Sequence, residues 1–161
     1  MNSFETLSDQ LREALKKSPS LQKIPIGPAF PPQRRPFPLR NPYICVHIKE
    51  ITVEQGGLGG IVPVNQAGTA LGQTCTLLFS LDILCPLSLG ADGCQEIFSR
   101  LCHAIFCEDA FPFKAIRLEA SSPVYSREND CFVQKSVLRT IVLMTREEEG
   151  LAITDFTVRR A

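Results

Sequence analysis

The chain has 161 residues, with 17 Lys plus Arg balanced by 17 Asp plus Glu and a formal net charge of zero. A hydrophobic share of 44% and a charged share of 21% match folded domains and exclude wholesale disorder, and the length suits one domain over residues 1–161. Neutrality also excludes a protein whose main task is to coat nucleic acid or an anionic membrane, because both need a basic footprint.

In chain order, Phe4, Leu7, Leu11, Ala14 and Leu15 recur at helical spacing and predict an amphipathic helix over residues 3–17. Ser3 is placed to cap it, Ser18-Pro19 to stop it, and Glu13 to pair with Lys17 on the wet face. Residues 18–42 hold most of the prolines and read as an extended arm, since proline removes amide donors and fixes φ. Ile24, Ile26, Phe30, Phe37 and Leu39 can pack along a surface there, and Arg34, Arg35 and Arg40 make the arm locally basic.

Residues 43–54 predict a strand in which Ile44, Val46 and Ile48 alternate and the phase then slips to Ile51 and Val53, the mark of a bulge near Lys49-Glu50. Residues 55–74 form an uncharged glycine-rich stretch, read as an assembly loop with a twisted hairpin extension as the alternative. Residues 75–85 give the cleanest strand, with Cys75, Leu77, Phe79, Leu81, Ile83 and Cys85 on one face. A helix over 93–107 follows, capped by Asp92 with Gln95, and it lays Cys94, Ile97, Phe98, Leu101 and Ile105 on a sheet.

Residues 113–126 predict a strand with Ile116, Leu118 and Ala120 facing in. After the polar turn 126–131 comes a long strand, 131–146, with two apolar faces. Val133, Val137, Ile141 and Leu143 share one; Phe132, Leu138, Val142 and Met144 share the other. A short last strand lies within 151–159, with Ile153 opposite Phe156 and Val158. The expected fold is α+β: a mostly antiparallel sheet of four to five strands, in α-β-β-α-β-β order, packed by the N-terminal and central helices.

Residues 1–20 lack the apolar run of a secretory signal, and the longest apolar stretch, Cys75 to Leu89, is broken by Thr76, Ser80, Asp82 and Pro86. A cytoplasmic chain is expected. Its seven cysteines are odd in number and form no C-x-x-C pair, so they read as buried small hydrophobes in a reducing compartment.

Searches for chemistry return little. Gly56, Gly57, Gly59 and Gly60 flank Leu58, but neither a Walker pattern nor G-x-G-x-x-G is present, so no nucleotide cofactor is expected. His103 and Cys107 sit at i, i+4 with Cys94 and Cys102 nearby, yet the knuckle spacing of a structural zinc site is missing and no metal is expected. His47 and His103 are the only histidines, and no nucleophile elbow accompanies them. The carboxylates Glu128, Asp130 and Glu147 to Glu149 fall in turns, as solvating charges. An enzyme is not expected.

The element order resembles the tail terminator, or tail-completion, proteins of tailed bacteriophages, prophages and related contractile particles. Four segments carry the resemblance: the helix FETLSDQLREALKK; the strand-loop-strand YICVHIKEITVEQ to TCTLLFSLDILCP; the helix GCQEIFSRLCHAIF; and the ending FKAIRLEASSPVYSRENDCFVQKSVLRTIVLM with TDFTVRR. The resemblance implies a virion-assembly protein made in the host bacterial cytoplasm. It would close a hexameric ring on the tail tube, stop polymerisation and meet the head connector or a cap. The implied partners are copies of itself, tube protein, sheath and head connector, with no membrane and no sequence-specific nucleic acid. Another tube, baseplate or connector subunit is the alternative, and a small enzyme or regulatory domain a further one. Candidate subunit contacts are Gly56, Gly57, Leu58, Gly59, Gly60, Ile61 and Val62 in the glycine-rich stretch, Arg34, Arg35 and Arg40 in the arm, and Leu138 and Val142 on the two-faced strand.

Overall fold

A computed structural model describes residues 4–28, 39–55, 61–65, 68–109, 111–145 and 157–160. In chain order these form α1 (Phe4–Lys17), a 3-10 turn (Pro19–Leu21), β1 (Ile26–Gly27), β2 (Tyr43–Gln55), β3 (Ile61–Asn65), β4 (Gly68–Pro86), α2 (Gly90–Phe106), β5 (Lys114–Ala120), β6 (Val124–Ser126), β7 (Cys131–Gln134), β8 (Ser136–Thr145) and β9 (Thr157–Arg160). The α+β class expected from the sequence is the one observed, but the described residues form two helices and one mixed, mostly antiparallel sheet of nine strands instead of four to five, because short strands add to its margins and two expected strands are each divided.

The alternating strand read from Cys75 to Cys85 is the axis of the molecule. As part of β4 it pairs with β2 along one side and with β7 and β8 along the other. Its alternation turns Cys75, Leu77, Phe79, Leu81, Ile83 and Cys85 to one face, and all six are buried. Both helices pack on that face. Leu7, Leu11 and Leu15 of α1 and Cys94, Ile97, Leu101, Ala104 and Ile105 of α2 complete the core. Burial stabilises each such leucine by roughly 1.5–3 kcal/mol relative to exposure. A second, smaller cluster lies on the opposite face, where Cys45, Leu84 and Cys131 meet Leu39, Tyr43 and Val133.

The phase slip read in β2 is a register shift between Ile48 and Glu50. It keeps Ile51 opposite Leu77 and Val53 opposite Cys75, on the helix-bearing face. For the described residues of 55–74, the hairpin alternative fits better than a loop. β3 pairs antiparallel with the start of β4, with Pro63 in an edge strand next to a register shift, where proline is tolerated. The described first part of the proline-rich segment, residues 18–28, is likewise more structured than an arm: Leu21 and Ile26 join the main core, and β1 pairs in parallel with Ile44 and Cys45.

Several local expectations are corrected. Glu13 bonds Lys16 at 2.8 Å, not Lys17. Asp92 does not cap α2; the residue before the helix is Leu89, with no side-chain cap. There the chain turns through Gly90, whose φ of 62° favours glycine, and Gly93 N–H donates to Leu89 O at 3.1 Å. A side chain on Gly93 would meet Leu89 Cβ at 2.6 Å, so this tight entry needs both glycines. The strand expected over 113–126 is two strands, β5 and β6. A bulge between Ala115 and Arg117 puts Ala115 and Leu118 against the core and leaves Ile116 exposed. The long strand expected over 131–146 breaks at Lys135 into β7 and β8. Ser3, Phe30, Phe37, Ile153 and Phe156 lie outside the described residues.

Candidate functional site

The contact residues expected from the sequence scatter. Gly56, Gly57, Leu58, Gly59, Gly60, Arg34 and Arg35 lie outside the described residues. Ile61 and Val62 open β3. Arg40 is exposed beside Leu39, which packs on the second cluster. Leu138 and Val142 are corrected: they lie opposite Phe79 and Cys75, are 0% and 2% exposed, and belong to the core of the folded chain. Pairing chose between the two apolar faces of this strand, sending Val137 and Ile141 to the helix-free side with Ser80 and Thr76.

The densest polar cluster joins the 3-10 turn to the end of α2. Glu108 Oε1 accepts from Ser18 Oγ at 2.8 Å, Ser20 Oγ at 2.6 Å and Ser20 N–H at 3.3 Å. His103 Nδ1 lies 2.9 Å from Ser20 Oγ and 3.7 Å from Glu108. Burial pushes the Glu108 carboxyl up, but the bonds from Ser20 and Ser18 outweigh it and hold the group below its ordinary range. Glu96, Ser99 and Arg100 line the shallow, open depression beside Ser20 and His103.

A serine, a histidine and a glutamate so close invite a triad reading, and the geometry refuses it. A triad uses both ring nitrogens, one toward the serine and one toward the carboxylate. Here Ser20 and Glu108 approach the same nitrogen, and the serine proton goes to Glu108. The arrangement fastens a turn to a helix end. Arg100 is likewise paired with Glu96.

The cysteines follow the packing. Cys45, Cys75, Cys85, Cys94 and Cys131 are buried, Cys102 is half-buried and Cys107 is exposed. Burial raises the Cys75 thiol, and a hydrogen bond with Cys94 together with burial raises Cys85. Such thiols are poor nucleophiles. Among the described residues no group of three or more metal-ligating side chains gathers, and no helix is long and apolar enough to cross a membrane.

What the sequence reading missed is at the sheet margins. β2 is covered by β1 only at Ile44 and Cys45. Ile44 N–H reaches outward to Pro25 O at 3.0 Å, so alternation points the main-chain groups of Val46 and Ile48 the same way. Arg12 of α1 donates to Val46 O at 3.1 Å and closes that position. Beyond it, no described strand pairs with the outer side of β2. On the far side, β5 pairs only with β8 among the described strands. Both margins carry bare apolar side chains: Ile51 is 40% exposed, Val53 45% and Ile116 44%. The signal for Ile51 and Val53 was in the sequence, but their exposure depends on which elements lie alongside.

Two comparisons with known proteins return nothing: no protein-family model matches the chain, and no curated protein matches it.

Proposed function

We propose that the chain is a structural subunit that associates with copies of itself, closing a hexameric ring on the end of a phage-type tail tube. In that role it stops tube growth and offers a face to the head connector or to a cap. The observation that carries the self-association is the pair of sheet margins, β2 and β5, that no other described strand covers along their outer sides beyond Val46 and beside Ile116, with Ile51, Val53 and Ile116 exposed there. Natural proteins seldom leave such edges bare without a partner or a protective device. The tail-particle setting rests on the resemblance of the sequence segments alone, and from the structure it draws only a short amphipathic helix, the long β2–β4 pair and a helix directly after β4. The bonds that tie Ser18, Ser20 and His103 to Glu108 favour a structural role for that cluster over catalysis.

Native mass spectrometry and negative-stain imaging test this reading on the purified chain, alone and with tube protein. A closed ring that caps tubes is the expected result. Long stacked polymers would identify a tube subunit instead, and a strict monomer that never joins tube protein would overturn the proposal.

A further inference from the structure

The two margins without a further described partner strand match each other, and we infer that the β2 edge of one copy pairs antiparallel with the β5 edge of the next, continuing the sheet from subunit to subunit. The inference rests on the self-association proposed above and specifies the surfaces that make it.

Charge is the first argument. The outer half of β2 carries Lys49, Glu50 and Glu54, and β5 carries Lys114 together with Arg117 and Glu119, which form an exposed ion pair within the chain that Glu50 would extend. One margin is therefore net negative and the other net positive. Position is the second. Glu50 and Thr52 lie opposite Leu78 and Thr76 of β4, and Lys114, Arg117 and Glu119 lie opposite Ile141, Arg139 and Val137 of β8. Glu50 and Glu54 of one margin and Lys114, Arg117 and Glu119 of the other therefore project from the helix-free face, as paired residues of one sheet must.

With Glu50 set against Arg117 and the bulged Lys49 skipped, antiparallel counting brings His47 to Glu119. It also brings Ile51 to the Ala115–Ile116 bulge, so the exposed apolar side chains of the two margins meet. Pairing β2 with a second β2 about Thr52 would set Glu50 against Glu54, a like-charge contact that disfavours the symmetric dimer. A contact between two different patches repeats head to tail, and it gives a ring when the rotation closes.

The test is a charge-swap cycle on the full chain, read by native mass spectrometry and sedimentation across a concentration series. Glu50→Arg and Arg117→Glu are each expected to weaken association at least tenfold, and the double variant is expected to restore it. Circular dichroism and thermal unfolding of each variant separate lost association from lost folding, and both side chains are exposed in the single chain. Rings that form equally well in all variants would overturn this pairing while leaving the ring itself standing. Open filaments or short oligomers that follow the swap-and-rescue pattern would support the pairing and remove the ring. A dimer sensitive to Glu50→Arg but not to Arg117→Glu would overturn it in favour of the symmetric contact. A wild-type chain that stays monomeric at every concentration would also overturn it.

Discussion

The two halves of β2 use the same kind of residue on the same face and meet opposite fates. Ile44 and Val46 are fully buried, whereas Ile51 and Val53 are 40% and 45% exposed. All four turn toward the helix-bearing side, because the bulge at Lys49 restores the phase. The difference lies in the cover. β1 lies alongside Ile44 and Cys45, and Arg12 of α1 holds the carbonyl of Val46. No described strand continues that cover outward of Ile51 and Val53. An apolar residue on the inward face of a sheet becomes core only when another element reaches it.

The largest test of this contrast is a matched pair of truncations. Ile44→Ala should cost about 2–5 kcal/mol of folding stability, as expected for a buried isoleucine. Val53→Ala should stay within about 0.5 kcal/mol, as for a surface position. Urea unfolding at a concentration where the chain is monomeric reads both. Equal losses would erase the distinction between the halves.

The border between the halves can be moved next. Arg12→Ala removes the donor on Val46 O and should cost about 0.5–1.5 kcal/mol. It should also speed amide exchange in the first half of β2, which hydrogen-exchange mass spectrometry resolves, and no change there would mean that α1 does not hold the edge. The smallest effect concerns the turn that leads into β1. Glu108 binds that turn through Ser18 and Ser20, and its folded-state pKa is lowered by those bonds against its burial. A lowered carboxyl stabilises the fold above its unfolded value, and the contribution is lost as pH falls through the folded value. Wild type should therefore exceed Glu108→Gln by on the order of 1 kcal/mol near neutrality. The gap should close below about pH 4.5. A gap that widens on acidification would reverse the assignment.

Much of the fold was legible because its periodicities are strong. The alternation from Cys75 to Cys85, the stripe from Cys94 to Ile105 and the slip after Ile48 each carry their own physical mark. The bulge at Ile116 carried none, because Ile116 and Leu118 alternate as a regular strand would and the small Ala115 does not betray that it takes the inward place. The faces of β8 were ambiguous for a related reason: both are apolar, and only pairing with Phe79 and Cys75 assigns Leu138 and Val142 to the core. The open margins were the least legible part. Whether a strand is an edge depends on the neighbours it acquires from distant parts of the chain, which no local pattern records.

The central position of β4 also has a consequence for synthesis. One of its sides is met by β2, which leaves the ribosome first, but the other waits for β7 and β8. Ser136, which hydrogen-bonds the carbonyl of Leu81, follows it by 55 residues. At about 5–20 residues per second of translation, the nascent strand spends several seconds with that side unmatched. During this interval Phe79, Leu81 and the thiols of Cys75 and Cys85 lack their final shelter. Early docking of α1 on β2 and β4, before β7 and β8 are made, is the one shelter that chain order offers this face in that interval.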